Sequence, residues 1–388
     1  MNAATHRERF FAVLEGQSPG CVPFIPDITD WYVAHQTPPG EPRKHSAGGF
    51  IPDSDPVREY AGTLPERYRG WSLMDFYRRF DWGFHAHSYG WYELEYIGGV
   101  ERTVREKGKE RRTYLHTPKG TLEHLDRLAL DGTWCPCEHY VKSLDDLPAL
   151  RCIIEAQSYS PRYDRMRTEL DGIGGQGQID AVIPRSPFGK MVQEYMGFER
   201  TIYALADCPE RIEELLVLQE EKDLELIRLA AAAPARLVII SDHADENLIA
   251  PPMYEQYCVP YYRKACDILH AAGKFVSTHL DGNFRGHFPH LAATGFDLLD
   301  GCTPAPMFNY EVEELRAALP EGMFAFLGVP SVLFCQGVPD EQILSFGERI
   351  VESFRGRGIL NVGDILPPDG DIEQVIALGE QTRRWNGG

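Results

Sequence analysis

Three short apolar runs in the sequence end in side chains that could bind a metal ion or transfer protons. They are residues 236–241, followed by Asp242, His243 and Glu246; residues 274–280, which contain His279 and lead to Asp281; and residues 358–363, followed by Asp364. Imidazole and carboxylate groups are ligands of divalent metals such as zinc, and they are also common general acids and bases. The sequence therefore indicates metal or acid–base chemistry at the end of each run.

His279 and Asp281 are two residues apart, so both side chains face the same side of a regular strand. With carboxylates from other strands they predict a divalent-metal site, which suits zinc and keeps a position open for substrate. An alternative is that His279 hydrogen-bonds a loop carbonyl and Asp281 caps the following helix, since Asp-Gly-Asn is a common turn and cap sequence. The spacing alone leaves both interpretations open.

Two other motifs give weaker predictions. Cys135, Cys137 and His139 could ligate a metal, but no second cysteine pair accompanies them in the sequence. The glycine-rich segment 172–178 precedes a predicted strand, whereas a dinucleotide-binding loop follows a strand and opens a helix. We therefore interpret that segment as a flexible turn.

Residues 71–96 are rich in aromatic side chains. They could line a pocket for a flat or quaternary ammonium group, or they could form the core of a small domain. Five aromatic or polar side chains are expected to contact a substrate, namely Trp31, Tyr32, Trp82, His85 and Asn283.

The elements that must position these side chains alternate from about residue 178 onward. Apolar, β-branched runs predict strands at 21–28, 179–185, 236–241, 274–280, 296–301, 323–329 and 358–364. Amphipathic periodicity predicts helices at 209–233, 252–273 and 340–356. With one more strand in the first half, the pattern predicts an α/β fold, a (β/α)8 TIM barrel, rather than an open sheet. Reactive groups in such barrels lie at the carboxyl ends of strands, where the polar side chains occur.

We expect a single barrel domain over residues 1–388. Residues 30–175 are less regular, are rich in Trp, Tyr, Gly and Pro, and are too long for a connecting loop. They predict an insertion or cap over one mouth of the barrel.

Composition argues against several classes of function. The 39 Lys and Arg residues against 58 Asp and Glu give a formal net charge of −19, which disfavours binding to nucleic acid or an anionic membrane. No apolar run approaches the roughly 20 residues of a membrane span. The charged residues 1–16 are unlike a signal peptide, and nine scattered cysteines indicate reduced thiols. We therefore expect a cytoplasmic protein.

Residues 186–216, 239–283 and 358–380 resemble the uroporphyrinogen decarboxylase superfamily in order and spacing, and residues 7–28 are similar to its opening helix and first strand. The resemblance implies a (β/α)8 barrel, in agreement with the strand pattern. True decarboxylases of the superfamily have an arginine-rich stretch after the first strand that binds the substrate's carboxylates. This chain has no arginine between Cys21 and Pro42, so it is closer to the zinc-dependent, corrinoid-linked methyltransferase branch.

The metal ligands implied by the resemblance are His279, Asp364 and Asp281. Thiol-methylating members of that branch have a histidine where His279 stands and cysteines where Asp281 and Asp364 stand. Two aspartates keep the site anionic but make it harder, which suits a metal that binds oxygen or acts as a Lewis acid.

The catalytic residues implied by the resemblance are Asp242, Glu246 and His243. Members that demethylate ethers or amines use acidic residues and a histidine, and His243 and Cys258 lie roughly at the places of those acids. Asp242 and Glu246 are close enough in sequence to substitute for them.

The resulting hypothesis is zinc-dependent methyl transfer that involves a corrinoid carried by a partner protein and demethylates a small O- or N-methyl substrate. One alternative is a metal-independent decarboxylase of a non-porphyrin acid, which would need cavity arginines such as Arg185 and Arg285. Another is a non-catalytic barrel that binds a small ligand. The resemblance and the apolar segment 304–308 both indicate a homodimer.

Overall fold

The structure, a computed structural model, describes residues 4–17, 20–36, 63–129, 134–335 and 337–387. The strands within these ranges are β1 (Phe84–Ser88), β2 (Tyr92–Tyr96), β3 (Glu101–Lys107), β4 (Glu110–Thr117), β5 (Gly120–Leu128), β6 (Trp134–Glu138), β7 (Gln157–Pro161), β8 (Gly177–Ile183), β9 (Leu237–Ile240), β10 (Phe275–His279), β11 (Leu298–Cys302), β12 (Phe324–Pro330) and β13 (Gly358–Gly363).

The α-helices of the same ranges are α1 (His6–Leu14), α2 (Thr29–Gln36), α3 (Leu73–Phe80), α4 (Leu147–Glu155), α5 (Tyr163–Ile173), α6 (Pro187–Lys190), α7 (Phe198–Asp207), α8 (Pro209–Ala231), α9 (Pro251–Met253), α10 (Val259–Ala271), α11 (Leu291–Thr294), α12 (Val312–Ala318), α13 (Asp340–Phe354) and α14 (Ile372–Trp385). Two π-helical turns, Met191–Tyr195 and Tyr254–Cys258, follow α6 and α9.

Seven parallel strands form the wall of a barrel in the order β1-β8-β9-β10-β11-β12-β13. Residues 21–28, here called the closing segment, join the two edges of this sheet. Phe24 bridges Leu360 of β13, and its carbonyl accepts a hydrogen bond of 3.1 Å from the backbone N–H of Gly83, just before β1. The predicted α/β barrel is thereby confirmed.

The closing segment pairs through a bridge and does not form a regular strand. Ile25 donates to the carbonyl of Leu360 at 2.8 Å, and Leu360 donates back to the carbonyl of Pro23 at 2.8 Å. Pro23 and Pro26 have no backbone N–H, so they cannot donate to a neighbouring strand.

The six strands predicted from residue 179 onward correspond to β8–β13 within a few residues. β8 and β12 are buried at every position, because helices cover the outside of a parallel barrel. The three predicted helices are also present, as α8, as α9 to α10 with the π-helical turn between them, and as α13.

Helix α1 covers the amino ends of the barrel strands. Its Phe10 and Phe11 belong to a buried cluster that includes Leu298, Phe326 and Ile359 of the barrel wall. Apolar burial at this end leaves the carboxyl end as the open mouth of the barrel.

The predicted cap region 30–175 contains more regular structure than its composition suggests. β3, β4, β5 and β6 form a four-stranded antiparallel sheet, here called the cap sheet, and β2 pairs with β7. Helix α4 packs against β4 and β5. The range also includes β1, which is a strand of the barrel itself.

Two expectations from composition can be compared with the structure. Among the described helices, none has both the length and the apolar character needed to cross a bilayer. All nine cysteines fall within the described ranges and are free thiols, as expected.

Candidate metal and catalytic site

His279 ends β10 at the rim of the barrel. It is the register partner of Asp300 on β11, and its Nδ1 lies 3.0 Å from Oδ2 of that carboxylate. An ionised carboxylate accepts hydrogen bonds, so Nδ1 carries a proton and Nε2 faces the opposite side. Oδ2 of Asp364, which follows β13, lies 3.9 Å from Nε2. The barrel thus brings His279 and Asp364 together, with Asp300 holding the ring from behind.

Gly301 gives the imidazole of His279 room to lie against the neighbouring strand. Its φ is +72°, and a Cβ at this position would lie 2.6 Å from Cε1 of His279. Residues with side chains rarely adopt this backbone conformation. Asp300 and Gly301 therefore both position His279. Asp300 binds its ring by a hydrogen bond, and Gly301 leaves the space that the ring occupies.

His243 and Asp281 lie close to His279. One possible ligand atom from each of the three side chains lies within 4.8 Å of the others, and the two imidazole rings are 4.9 Å apart and nearly perpendicular. Burial, with His279 beside it, lowers the pKa of His243 to about 3. This imidazole is therefore neutral at physiological pH and can offer a lone pair to a metal.

The carboxylates around His279 outnumber the positive charges. Burial lowers the pKa of His279, but Asp364 and Asp300 outweigh burial and raise it to about 9. Burial raises the pKa of Asp300, yet the hydrogen bond from His279 brings it down to about 2. Burial raises the pKa of Asp364 to about 6 even though His279 opposes this rise. A divalent cation would relieve the repulsion among these carboxylates, and the mixed imidazole and carboxylate donors fit zinc.

A cavity of about 30 Å³ extends from this rim into the barrel. It is lined by Ile25, Pro26, Asp27, His85, His87, Asp300, Phe326, Asn361 and Asp364. His85, which the sequence analysis assigns to substrate binding, lies in the wall of this cavity. Its Nε2 is 2.7 Å from Oδ2 of the buried Asp180 on β8. A space of this size holds one water molecule or one ion.

A larger pocket of about 670 Å³ lies between the cap sheet and the rim. It is lined by Arg102, Arg111, Thr113, His124, Asp126, Pro136, His139, Tyr140, Arg185, Val192, Gln193, Glu194, Phe198 and Leu248. Arg185 donates to Oε1 of Gln193 at 3.0 Å and to Oε1 of Glu194 at 3.2 Å. The positive charge of Arg185 also lowers the pKa of His243, after the larger effects of burial and His279. Arg185 therefore lies near both the pocket and the rim.

Arg285, the other arginine that a decarboxylase could use, is exposed. Its guanidinium forms an ion pair with Glu314 at the start of α12. It is not among the residues that line the two cavities described above.

Asp242 and Glu246 make contacts that position loops. Asp242 is fully buried, accepts a hydrogen bond from the hydroxyl of Tyr262, and has a pKa raised by burial. Glu246 accepts a hydrogen bond of 2.6 Å from the side-chain amide of Asn309 and another from the backbone of Gly286. Of the three side chains assigned to catalysis from the sequence, the structure places His243 beside His279.

Two of the aromatic residues expected to bind substrate belong to the protein's interior contacts. Trp82 is 2% exposed and packs between Phe24 and Phe80. The hydroxyl of Tyr32 donates to the carbonyl of Trp71 at 3.0 Å. Burial of large aromatic surfaces stabilises the fold, which accounts for part of the aromatic density near residue 80.

Trp31 and Asn283 lie in other surroundings. Trp31 is as buried as Trp82, stacks on His35, and borders with it a separate cleft of about 400 Å³ that is completed by Pro65 and residues 368–373. The backbone N–H of Asn283 donates to Oδ2 of Asp245 at 2.8 Å. Of the five residues assigned to substrate binding, His85 is therefore the one that lines the small cavity beneath His279.

Three ionisable side chains of that cavity were not predicted from the sequence. Asp300 is the third residue of β11, directly after Leu298 and Leu299, and Asp27 belongs to the closing segment, so both directly follow a short apolar run, as Asp364 does. His87 is two residues after His85 on β1 and therefore faces the same side of the sheet. The rule applied to Asp364 would have found the two aspartates.

Comparison with known proteins agrees with the fold. The family model described as "Uroporphyrinogen decarboxylase (URO-D)" matches residues 183–385. A methyltransferase from Methanosarcina mazei aligns over 99% of both chains with a TM-score of 0.59 and 13% identity. A B12-independent methionine synthase from a Shewanella species aligns over 95% of this chain and 97% of its own, with a TM-score of 0.44 and 9% identity. No curated protein matches the sequence. At 13% identity, the likeness to the Methanosarcina mazei protein shows the fold alone.

Proposed function

Because the chain belongs to the uroporphyrinogen decarboxylase (URO-D) family, we propose that it is a zinc-dependent methyltransferase that removes the methyl group of a small O- or N-methyl substrate. A corrinoid carried by a partner protein receives the methyl group in this proposal. The observation that carries the proposal is His279, whose Nδ1 contacts Asp300 while its Nε2 faces Asp364. Metal-binding histidines are commonly held by a carboxylate in this way.

In this proposal the zinc ion is held by His279, Asp364, Asp281 and His243, and when bound it polarises the methyl-bearing oxygen or nitrogen as a Lewis acid. Asp300 keeps the proton on Nδ1 of His279 and fixes the plane of the ring. The side chain of Asp364 is 35% exposed, so it lies where a substrate can approach from the mouth. Carboxylates in place of thiolates suit an oxygen or nitrogen substrate better than a sulfur one.

The larger pocket supports a small-molecule substrate. Its volume of about 670 Å³ is in the range of ligand pockets, and it lies between the cap sheet and the loop that carries Arg185. Its Leu248 follows His243 by five positions on the loop after β9, so the pocket and the proposed metal site share that loop.

The proposal also places the protein in the cytoplasm and includes a homodimer through residues 304–308. The nine free thiols support the location, since disulfides are rare in that compartment. Residues 305–308 are at least partly exposed, as a contact surface requires. Light scattering coupled to gel filtration measures the mass in solution, and a monomer at micromolar concentration would remove the dimer from the proposal.

The first test is the zinc content of protein purified without added metal and without nickel affinity. We expect zinc that falls by one equivalent in both His279→Ala and Asp364→Ala, with circular dichroism unchanged in each variant. Protein that binds no zinc even when zinc is offered would contradict the proposal and would favour the metal-independent decarboxylase.

The second test is methyl transfer to free cob(I)alamin, followed by its visible spectrum, with methoxylated aromatics and methylamines as donors. We expect methylcobalamin to form with the zinc-loaded protein and not with His279→Ala. If the zinc-loaded protein never methylates cobalamin but releases CO₂ from an acid, and Arg185→Gln stops that release, the protein is a decarboxylase. If ligand binding is lost in His279→Ala without any turnover in the parent protein, it is a binding barrel.

A further inference from the structure

We propose a second divalent-cation site inside the barrel, held by His85, His87 and Asp180. The first two are alternate residues of β1 and point into the barrel, and His87 is the register partner of Asp180 on β8. The site lies below the rim, because the ring of His85 stacks on Phe10 of α1, which covers the amino end. It is separate from the site proposed at His279.

The three side chains converge on one point. Nε2 of His85 is 2.7 Å and Nδ1 of His87 is 3.6 Å from the same oxygen, Oδ2 of Asp180. One ligand atom from each side chain lies within 4.8 Å of the others. Ligand atoms around a tetrahedral zinc ion with bonds of about 2.0 Å are separated by about 3.3 Å, so small side-chain shifts would place all three around one ion.

Two buried atoms at this point lack a hydrogen-bond partner. Among the described residues, none donates to Oδ1 of Asp180, and none lies within hydrogen-bond distance of Nδ1 of His87, whose contact with Oδ2 of Asp180 at 3.6 Å is too long. Asp180 is completely buried. Buried polar atoms without a partner are costly, and a cation between the carboxylate and the two imidazoles would satisfy both atoms.

The charges and the space around the cluster also favour a cation. Within the part of the chain that the structure describes, Asp180 and Asp300 contact histidines but form no ion pair with Lys or Arg. The cavity of about 30 Å³ is lined by His85 and His87 on one side and by Asp300 and Asp364 on the other. It is large enough for one ion.

Asp300 lies between the two proposed sites. Its Oδ2 is 3.0 Å from Nδ1 of His279 and 4.0 Å from Nε2 of His87. Two imidazole nitrogens and one carboxylate oxygen favour zinc, cobalt or nickel over magnesium or calcium. The protein would therefore bind two such ions, one at the rim and one below it.

The experiment counts metal ions. Full-length protein is stripped with a strong chelator, reloaded with Co²⁺ or Zn²⁺ and desalted, and bound metal is measured by elemental analysis and by the Co²⁺ visible spectrum. We expect two equivalents in the parent protein and one each in His87→Gln, Asp180→Asn and His279→Ala. The double variant His279→Ala/His87→Gln should bind none. His270→Gln is the matched control, since His270 also pairs with an aspartate but at the amino end of the barrel, and it should bind two.

Metal content that is unchanged in both His87→Gln and Asp180→Asn would overturn the proposal, whatever the number of equivalents in the parent protein. His87→Gln keeps a polar side chain of similar size, so it remains informative if Asp180→Asn fails to fold. The inference does not depend on methyl transfer, because the equivalent retained by His279→Ala is counted without any activity assay.

Discussion

The mouth of the barrel and the cap sheet are both rich in charged side chains, but they satisfy those charges differently. In the cap sheet, Arg127 pairs across the strands with its register partner Glu110, and both side chains are exposed. In the mouth, Asp180 and Asp300 are buried and contact histidines. The exposed pair consists of two permanent charges, whereas the buried Asp180 and Asp300 contact histidines, which can lose a proton, and it is at these carboxylates that we propose cation binding.

A third region sharpens this comparison, because it is both buried and paired. Lys190 of α6 forms a buried ion pair with Asp223 of α8, and Gln219 donates to the same carboxylate at 2.8 Å. Burial raises the pKa of Asp223 to about 6, although Lys190 opposes this rise. Burial of a carboxylate alone therefore does not identify a cation site.

The largest expected effect is on stability and follows from this buried pair. Lys190→Ala leaves the buried Asp223 without a positive partner, and we expect the free energy of unfolding to fall by about 3–5 kcal/mol. Urea denaturation measures this change. The double variant Lys190→Met/Asp223→Leu should recover most of the loss, and no recovery would show that packing, not charge, dominates there.

The next effect concerns the mouth. His279→Ala should weaken zinc binding at the rim by more than about 100-fold, since even residues that only orient a ligand contribute 10–100-fold. Competition with a chromophoric chelator measures the affinity. The unfolding free energy of the metal-free protein should change far less than in Lys190→Ala, and an equal loss would place His279 among the structural residues.

Asp300→Asn should have a smaller effect on the same affinity. The amide oxygen of asparagine carries no negative charge, so it accepts the hydrogen bond from Nδ1 of His279 more weakly than the carboxylate does. We expect zinc binding to weaken by about 10–100-fold. Asp297→Asn is the matched control, because Asp297 also contacts a histidine, His270, but lies away from the mouth. Equal effects of the two substitutions on zinc affinity would contradict the orienting role of Asp300.

The smallest effect is expected in the cap sheet. Arg127→Gln removes one exposed pair and should change the free energy of unfolding by about 0–1 kcal/mol, with no loss of metal. Thermal denaturation and metal content check both parts. A metal loss in this variant would show that the cap sheet takes part in the site, and the contrast between the two regions would fail.

The barrel could be predicted from the sequence because its strands are buried on both faces. Such strands appear as continuous apolar runs, and the predicted strand 323–329 is observed as β12 (Phe324–Pro330). β1 carries His85 and His87 among its apolar residues, so its apolar run is interrupted. A further strand was predicted in the first half of the chain, but its residues were not. The cap sheet was not predicted, because strands such as β3 are exposed and highly charged.

The site could be predicted in part. Polar residues at strand ends pointed to His279 and Asp364, which the barrel brings within 3.9 Å of each other. The contact of His279 with Asp300 depends on the register between β10 and β11, which the sequence does not reveal. Trp82 shows a different difficulty, because aromatic density fits a pocket and a core equally well, and packing decides between them.

The closing segment has a consequence for motion. Its prolines limit backbone hydrogen bonding, so the seam between Phe24 and Leu360 should open locally more often than the long ladder between β12 and β13. Asp27 lies on one side of this seam and Asp364 on the other, and both face the small cavity. A cation bound in this cavity would attract both carboxylates and hold the two sides of the seam together. The amide hydrogens of Ile25 and Leu360 should therefore exchange with deuterium more slowly in the metal-loaded protein.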